Sequence, residues 1–407
     1  MSADPLLVLQ LQRMGDLILT FPLLLEMRRR FPSNPIWVVA DPQFFTDLMS
    51  LAPKVTFFPP THCDMLAHTR YEAAVNLSNQ ADASACLGRL SARRKLGPRL
   101  DPDCLRVEGF WHLYRLALTH NNRHNLFHWA DLYRLDMDAD IRGSRTALAQ
   151  PHPPQTGRRI ALVPGASEAA KRPDAAFWAE LARRLARNGF TPLFIGGPAE
   201  AELGAEAARR CGLPPQANLC GRLSLFQTAS CLRETDLCIT PDTGPMHLAD
   251  WLGTTVLNLS MGPVRAWETG PVSPGQWVLR ASISCSGCWK CRRPHLPCKK
   301  AFSPAQVARV ALALLENRRN PHVTASVLHG LDLLRTGRDA YGLYTLTPAE
   351  PADCERTACK AEAQNLLDAF WKAAFLAMYQ PGLKADLPPC ANALAARTPA
   401  LFTHLRR

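Results

Sequence analysis

The stretch PDTGPMH (241–247) sets an acid, a hydroxyl, a glycine and a proline where an apolar strand gives way to an apolar helix. That order suits an anion: small residues let a phosphate approach the backbone, the unpaired N–H groups of a helix start face it, and Thr243 adds a hydroxyl. Pro245 fits the first helical turn and has no N–H, so the backbone donors would be those of Thr243, Gly244 and Met246. An ordinary Asp/Thr cap with a proline start is the plainer reading of Asp242 and Thr243, and it stays open. QRMGD (12–16) poses a similar choice, because a helix cap favoured by the dipole would explain Asp16, beside Gly15, without any chemistry. Two more loops hold candidates for ligand contact: PGASEAAKR (164–172), with Ser167 and Lys171, and GGPAE (196–200), with Glu200. His247 lies on an apolar helix, where packing or capping competes with ligand contact. No GxxxxGK[ST] or GxGxxG stretch occurs, which argues against P-loop and simple dinucleotide chemistry.

A second pattern is made of thiols. Cys285, Cys288, Cys291 and Cys298 are spaced C-x2-C-x2-C-x6-C, and four such thiols can hold zinc or an iron–sulfur group, with plain or redox-active thiols as the alternative. The other ten of the 14 cysteines include Cys86, Cys211, Cys231 and Cys238, scattered singly through apolar segments as small buried hydrophobes. DPD (101–103) and DMD (136–138) formally match an Asp-x-Asp metal triplet, a common accident in loops.

The elements that must position these residues alternate along the chain. LLVLQLQ (6–12), PIWVVAD (35–41), KVTFFPP (54–60) and EAAVNLS (72–78) read as buried strands, and the segment from Asp16 to Arg30 as one helix. Between about 100 and 150 only WHLYRLAL reads as helical, the remainder as irregular. The three prolines of PHPPQTGRR (151–159) mark a linker. Beyond it RIALVPG, TPLFIGG, DLCITPD and TTVLNLS are strands, separated by helices that include one from Asp174 to Asn188. The expectation is an α/β protein: a Rossmann-like domain over residues 1–150, a linker over 151–158, a second Rossmann-like domain over 159–320 and a helical extension over 321–407. In such sheets ligands bind beyond the carboxyl ends of the strands, where the candidate loops fall.

With 407 residues, 47% of them hydrophobic, the chain can bury a large core. Its net charge of +12 favours anionic partners, whether nucleic acid, a membrane surface or a phosphorylated small molecule. The basic groups Arg28 to Arg30, Arg93 to Lys95, and Arg292 with Arg293 read equally as solvated helix ends and loops. MSADPLLVLQLQ lacks the features of a signal peptide, and no run of about 18 apolar residues follows, so the expectation is a cytoplasmic protein.

Taken in order, these loops resemble glycosyltransferase family 9, the ADP-heptose:lipopolysaccharide heptosyltransferases. The opening LQRMGDLILTFPLLLEMRRRFP is similar to that family's LGD…T.P…R..FP start. PGASEAAKR is similar to its HPGAS…KRW loop, TPLFIGGPAE to its GGP.E strand end, and DTGPMHLADWLGTTVLNLSMGP to its D[ST]GPMHLAAALG segment. ISCSGCWKCRRPHLPCKKAFSPAQV is similar to its cysteine-bearing tail. The matches run through residues 6 to 310.

The resemblance implies a GT-B fold, two Rossmann-like domains facing across a cleft, with the acceptor on the first and the nucleotide sugar on the second. It implies inverting transfer of a heptose from an ADP-sugar donor to an anionic lipopolysaccharide-precursor acceptor, at the inner face of the cytoplasmic membrane by peripheral contact. Asp16 would be the general base that takes the proton of the acceptor hydroxyl. Lys171 and the N–H groups at Thr243, Gly244 and Met246 would face the diphosphate leaving group. Asp242 would contact the sugar or orient its loop, with Gly15, Ser167, Glu200 and His247 as further contacts. No cofactor is required, and a zinc or iron–sulfur group at the four cysteines would be structural. Two departures loosen the donor assignment: the family's His before PGA is Val163 here, and its Trp after Lys-Arg is Pro173. A different core glycosyltransferase or a sugar epimerase on the same fold is the alternative. A nonenzymatic binding module for nucleic acid is disfavoured, since no RRM, helix-turn-helix or zinc-finger spacing occurs. The aromatic stripe Phe370, Trp371, Phe375 and Tyr379 would pack back onto a domain, with membrane contact or self-association as the alternative.

Overall fold

Leu6–Leu9 (β1) is apolar at every position, as a strand covered on both faces must be, and all four residues are buried. The computed structural model describes residues 3–379 apart from 103, 120–121, 123–124, 138–147, 149, 154–156, 284, 286, 292, 294, 319–320, 322, 325 and 350–354, with backbone only over 355–365. Asp103 and Asp138 of the two Asp-x-Asp triplets, Arg292, residues 154–156 of the linker and 380–407 of the extension lie outside the described residues.

β1 pairs in parallel with β2 (Ile36–Val39) on one side and, at the other, with β4 (Arg70–Asn76). With β3 (Thr56–Phe58), β5 (Ser91–Asp101) and an antiparallel β6 (Cys104–Glu108) they form a six-stranded sheet in the order β3-β2-β1-β4-β5-β6. The second sheet contains β7 (Arg159–Leu162), β8 (Thr191–Phe194), β9 (Leu237–Pro241), β10 (Val256–Ser260) and β11 (Trp277–Ala281), all parallel. β12 (Leu331–Arg338) and β13 (Tyr344–Pro348) extend it antiparallel, giving the order β13-β12-β11-β10-β9-β7-β8. The chain is thus two Rossmann-like halves. The strand order reverses at β1/β4 in the first sheet and at β7/β9 in the second, and crevices for ligands open at such reversals.

Several elements differ from the sequence reading. The helix expected from Asp16 to Arg30 is two, Met14–Leu19 and Phe21–Arg30, because Pro22 has no N–H for the i→i−4 ladder and Thr20 spends its hydroxyl on the Asp16 carbonyl at 2.9 Å. Arg93, Arg94 and Lys95 lie on β5, where Arg93 pairs with Glu72 and Arg94 donates to the Asp136 carbonyl at 2.9 Å. Residues 331–348, expected within a helical extension, form the β12–β13 hairpin, whose Leu331, Leu333 and Leu334 bury against the second half. The helix that follows, Glu355–Tyr379, packs back on the first half: Phe375 meets Tyr114 at 5.2 Å and Tyr379 meets Trp111 at 5.3 Å, whereas Trp371 stays half exposed. Its Lys372 also donates to the Tyr344 carbonyl on β13.

The halves share a buried seam. Leu17 and Ile18 belong to one apolar cluster with Met246, Leu248 and Ala249, and Phe21 sits edge to face with Trp251 at 5.1 Å. Asp47 accepts from the Leu225 N–H at 2.9 Å and Leu51 from the Trp251 indole at 2.8 Å, so polar ties flank the apolar contact. Two short helices, Met14–Leu19 and Gly244–Trp251, therefore meet across the cleft, each just past a strand at which its sheet reverses.

Candidate functional site

Close approach at the seam depends on two glycines. A Cβ on Gly15 would come within 2.9 Å of His247 Cδ2, and one on Gly244 within 2.3 Å of Met14 Cε. With neither present, the turn carrying Asp16 and the turn carrying Asp242 face one another.

Burial raises the pKa of Asp16, opposed first by the Arg115 guanidinium and then by the backbone N–H of Arg13. Asp16 is the third residue of its helix, and Arg13 stands at the cap, so the N-cap reading does not describe it. Asp242 is pushed up to about 6 by burial, against the pull of Lys171 and of a 2.8 Å hydrogen bond from Thr269 Oγ1; Asp16 and Glu268 push it further up. Its partner is thus Thr269 rather than the helix it precedes, and Thr243 makes no side-chain cap bond either. Two desolvated carboxylates with cationic neighbours, one on each side of a cleft, are what a proton-transfer site needs.

Lys171 is buried, with Nζ 3.7 Å from Glu168 Oε1 and 5.0 Å from the centroid of the Trp289 ring. Trp289 stacks on Trp129 at 5.4 Å with 9° between planes, and Arg115 Cζ lies 4.6 Å from the Trp129 centroid. The Trp289 indole N–H donates to Glu268, whose other oxygen accepts from Asn122 at 3.0 Å and Asn125 at 2.7 Å. Burial pushes the Glu268 carboxyl up as well. Glu268 belongs to the second half and both asparagines to the first, so this buried acid ties the halves together across the cleft. His128 adds a bond to the Gly270 carbonyl at 3.0 Å, and Asp131 ties Arg134, Arg338 and the Tyr344 N–H together.

The structure thus brings together Asp16, Gly15, Asp242, Thr243, Gly244, His247 and Lys171. Met246 departs from expectation: it is buried and its N–H already donates to the Thr243 carbonyl at 3.0 Å, which leaves Thr243 and Gly244 as the open donors. His247 is a packed residue, with Nε2 3.8 Å from Asp242 Oδ1, and burial lowers its pKa to about 3. Glu200 folds over Gly165 and accepts from the Gly197 N–H at 2.9 Å, while Ser167 is exposed on its loop. Glu268, Trp289, Trp129 and Arg115 were not foreseen; a tryptophan set between Cys288 and Cys291 in a basic loop was the one available signal.

Cys285, Cys288 and Cys291 are half-buried and Cys298 buried. Burial raises the Cys288 pKa, and the other three thiols raise it further. That donor set suits a soft ion, yet no group of three or more His, Cys, Asp or Glu among the described residues is gathered as a bound metal needs.

The family model of glycosyltransferase family 9 (heptosyltransferase) matches residues 62–298. The chain belongs to this family. Lipooligosaccharide heptosyltransferase 2 of Campylobacter jejuni is 30% identical over 172 residues, 40% of this chain and 53% of that protein. Lipopolysaccharide heptosyltransferase 1 of Pseudomonas aeruginosa is 32% identical over 157 residues, 38% of this chain and 43% of that one. The chain spans about half the length of the curated relatives it matches. Among solved structures, a glycosyl transferase family 9 protein of Veillonella parvula is 20% identical with a TM-score of 0.62, covering 78% of this chain and 98% of its own. ADP-heptose lps heptosyltransferase II of E. coli is 21% identical with a TM-score of 0.59, covering 77% and 98%. The fold of this family-9 chain is GT-B.

Proposed function

We propose that the chain is an inverting glycosyltransferase that moves a heptose from ADP-heptose to a lipopolysaccharide inner-core acceptor. The observation that carries this reading is the pair of facing turns, which sets Asp16 on one wall of the cleft against Asp242, Lys171 and an open helix start on the other. In a single displacement, the acceptor oxygen attacks the anomeric carbon as its proton passes to Asp16, and the bond to the ADP oxygen breaks on the opposite face, inverting the centre. Lys171 and the N–H groups of Thr243 and Gly244 take up the charge that grows on the diphosphate. No step uses a cofactor. Zinc and iron content of protein purified under reducing conditions decides whether the four thiols hold an ion.

Peripheral attachment to the inner face of the cytoplasmic membrane belongs to the same proposal, supported by the net charge of +12. Among the described residues no helix is long and apolar enough to cross a membrane. Attachment should be salt-sensitive, and extraction by detergent alone would contradict it. No nucleic-acid partner enters the proposal.

Thermal stabilisation by ADP, UDP, GDP and CMP tests the donor. Selective ADP stabilisation, weakened by Lys171→Ala and kept by Asp16→Ala, is expected. Selective UDP stabilisation would discard the heptose donor and favour another nucleotide-sugar enzyme of this fold.

A further inference from the structure

The cysteine-bearing loop reaches into the cleft through Trp289. Trp289 holds φ at +55°, a left-handed state that a bulky residue keeps only where its surroundings impose it. Those surroundings belong to the site: Trp129 stacked beneath the indole, Glu268 on its N–H, and Lys171 over its ring. Contacts run from Arg115 through Trp129 and Trp289 to Lys171. The two ends of this run are the cations that act on Asp16 and Asp242.

A lysine ammonium is a point charge on a flexible stem, so its place must be set by what surrounds it. Two carboxylates act on Lys171: Glu168, exposed, on its own loop and 3.7 Å from Nζ, and Asp242, buried at the donor side. The indole face attracts the ammonium and holds it inside the cleft. We infer that Trp289 is a positioning residue for the proposed transfer, its indole face keeping the Lys171 ammonium buried in the cleft, on the side of Asp242 and the diphosphate, with Glu168 pairing to it from the exposed side. This gives the cysteine loop a role independent of metal, that of carrying the indole into the cleft. Glu268 and the Trp129 ring hold the indole in turn.

The inference rests on the transfer reading for its purpose but not for its first test. Acylation of Lys171 by an amine-reactive ester, followed by mass spectrometry on the full chain without substrate, reads the position of the ammonium directly. In Trp289→Ala the labelling of Lys171 should rise about fivefold or more, while Trp289→Phe, which keeps an aromatic face, should stay within about twofold of the wild type. In the transfer assay Trp289→Ala should lower kcat about thirtyfold with KM for the donor changed less than about threefold, and Trp289→Phe should restore most of the rate. Unchanged labelling in Trp289→Ala, or a Phe variant as impaired as Ala in a folded protein, would overturn the inference. Were the wild type to transfer no sugar, the function proposed above would fall, and the labelling comparison would still decide the place of Trp289.

Discussion

The helix starts at Met14 and Gly244 solve the same problem in two ways. Both follow a buried strand at a sheet reversal, both have a glycine in the first turn, and both bring an acid to the cleft. Asp16 lies inside its helix, held by the Arg13 N–H and facing Arg115, with no side chain among the described residues hydrogen-bonded to its carboxylate. Asp242 lies before its helix, bonded to Thr269, within reach of Lys171 and surrounded by further carboxyls. The first acid is free to accept a proton from something that enters. The second is built into the wall that would hold the donor. In the proposed transfer, the same turn would serve for proton transfer on one side and for charge placement on the other.

Removing the cation of the donor wall should cost the most. Lys171→Ala should lower turnover by about 10²-fold or more, as loss of a preorganised electrostatic group does, and weaken ADP binding; steady-state kinetics and calorimetry check both. An equal loss of binding in Arg115→Ala would erase the distinction between the walls.

Asp242→Asn should separate function from stability. The folded protein holds the Asp242 proton up to about pH 6 against 3.8 for an ordinary aspartate carboxyl, so ionising it costs stability as pH rises through that window. The amide removes this cost, and urea unfolding at pH 8 should show a gain of up to about 3 kcal/mol that vanishes below about pH 4. Activity should fall in the same variant. A loss of stability at pH 8 would mean that the charge is satisfied by groups other than Thr269 and Lys171.

Gly15→Ala should destabilise by about 2 kcal/mol through overpacking against the buried His247 ring, and much less in a His247→Ala background. Additive effects would place the strain elsewhere. The smallest contrast concerns caps. Asp174 accepts from the Phe177 N–H at 2.9 Å, so Asp174→Ala should cost about 1 kcal/mol. Thr243 caps nothing with its side chain, so Thr243→Ala should stay within about 0.5 kcal/mol of wild-type stability while weakening ADP binding.

What was legible followed from local pattern. Apolar runs such as Leu6–Leu9 and Leu237–Pro241 must be strands buried on both faces, and the loops at their carboxyl ends therefore had to hold the site. β5 was not legible, because SARRKLGPRL is basic and lacks alternation; of its residues only Leu96, Gly97 and Pro98 are buried. The β12–β13 hairpin lies beyond the stretch that resembles the family and pairs with β11 across some fifty residues, a register that no local pattern carries. The same holds for the site. Asp16 and Lys171 stand in recognisable sequence stretches, whereas Glu268, Trp129 and Trp289 matter only because folding brings distant stretches to one seam.

The most direct test follows sugar transfer itself, by measuring ADP release and the anomeric configuration of the product for wild type and Asp16→Asn with ADP-heptose and an inner-core acceptor. Inverted product from the wild type, with transfer reduced about 10²-fold or more in Asp16→Asn and ADP binding retained, is the expected result. Retained configuration, or an Asp16→Asn variant as active as the wild type, would contradict a single displacement with Asp16 as its base.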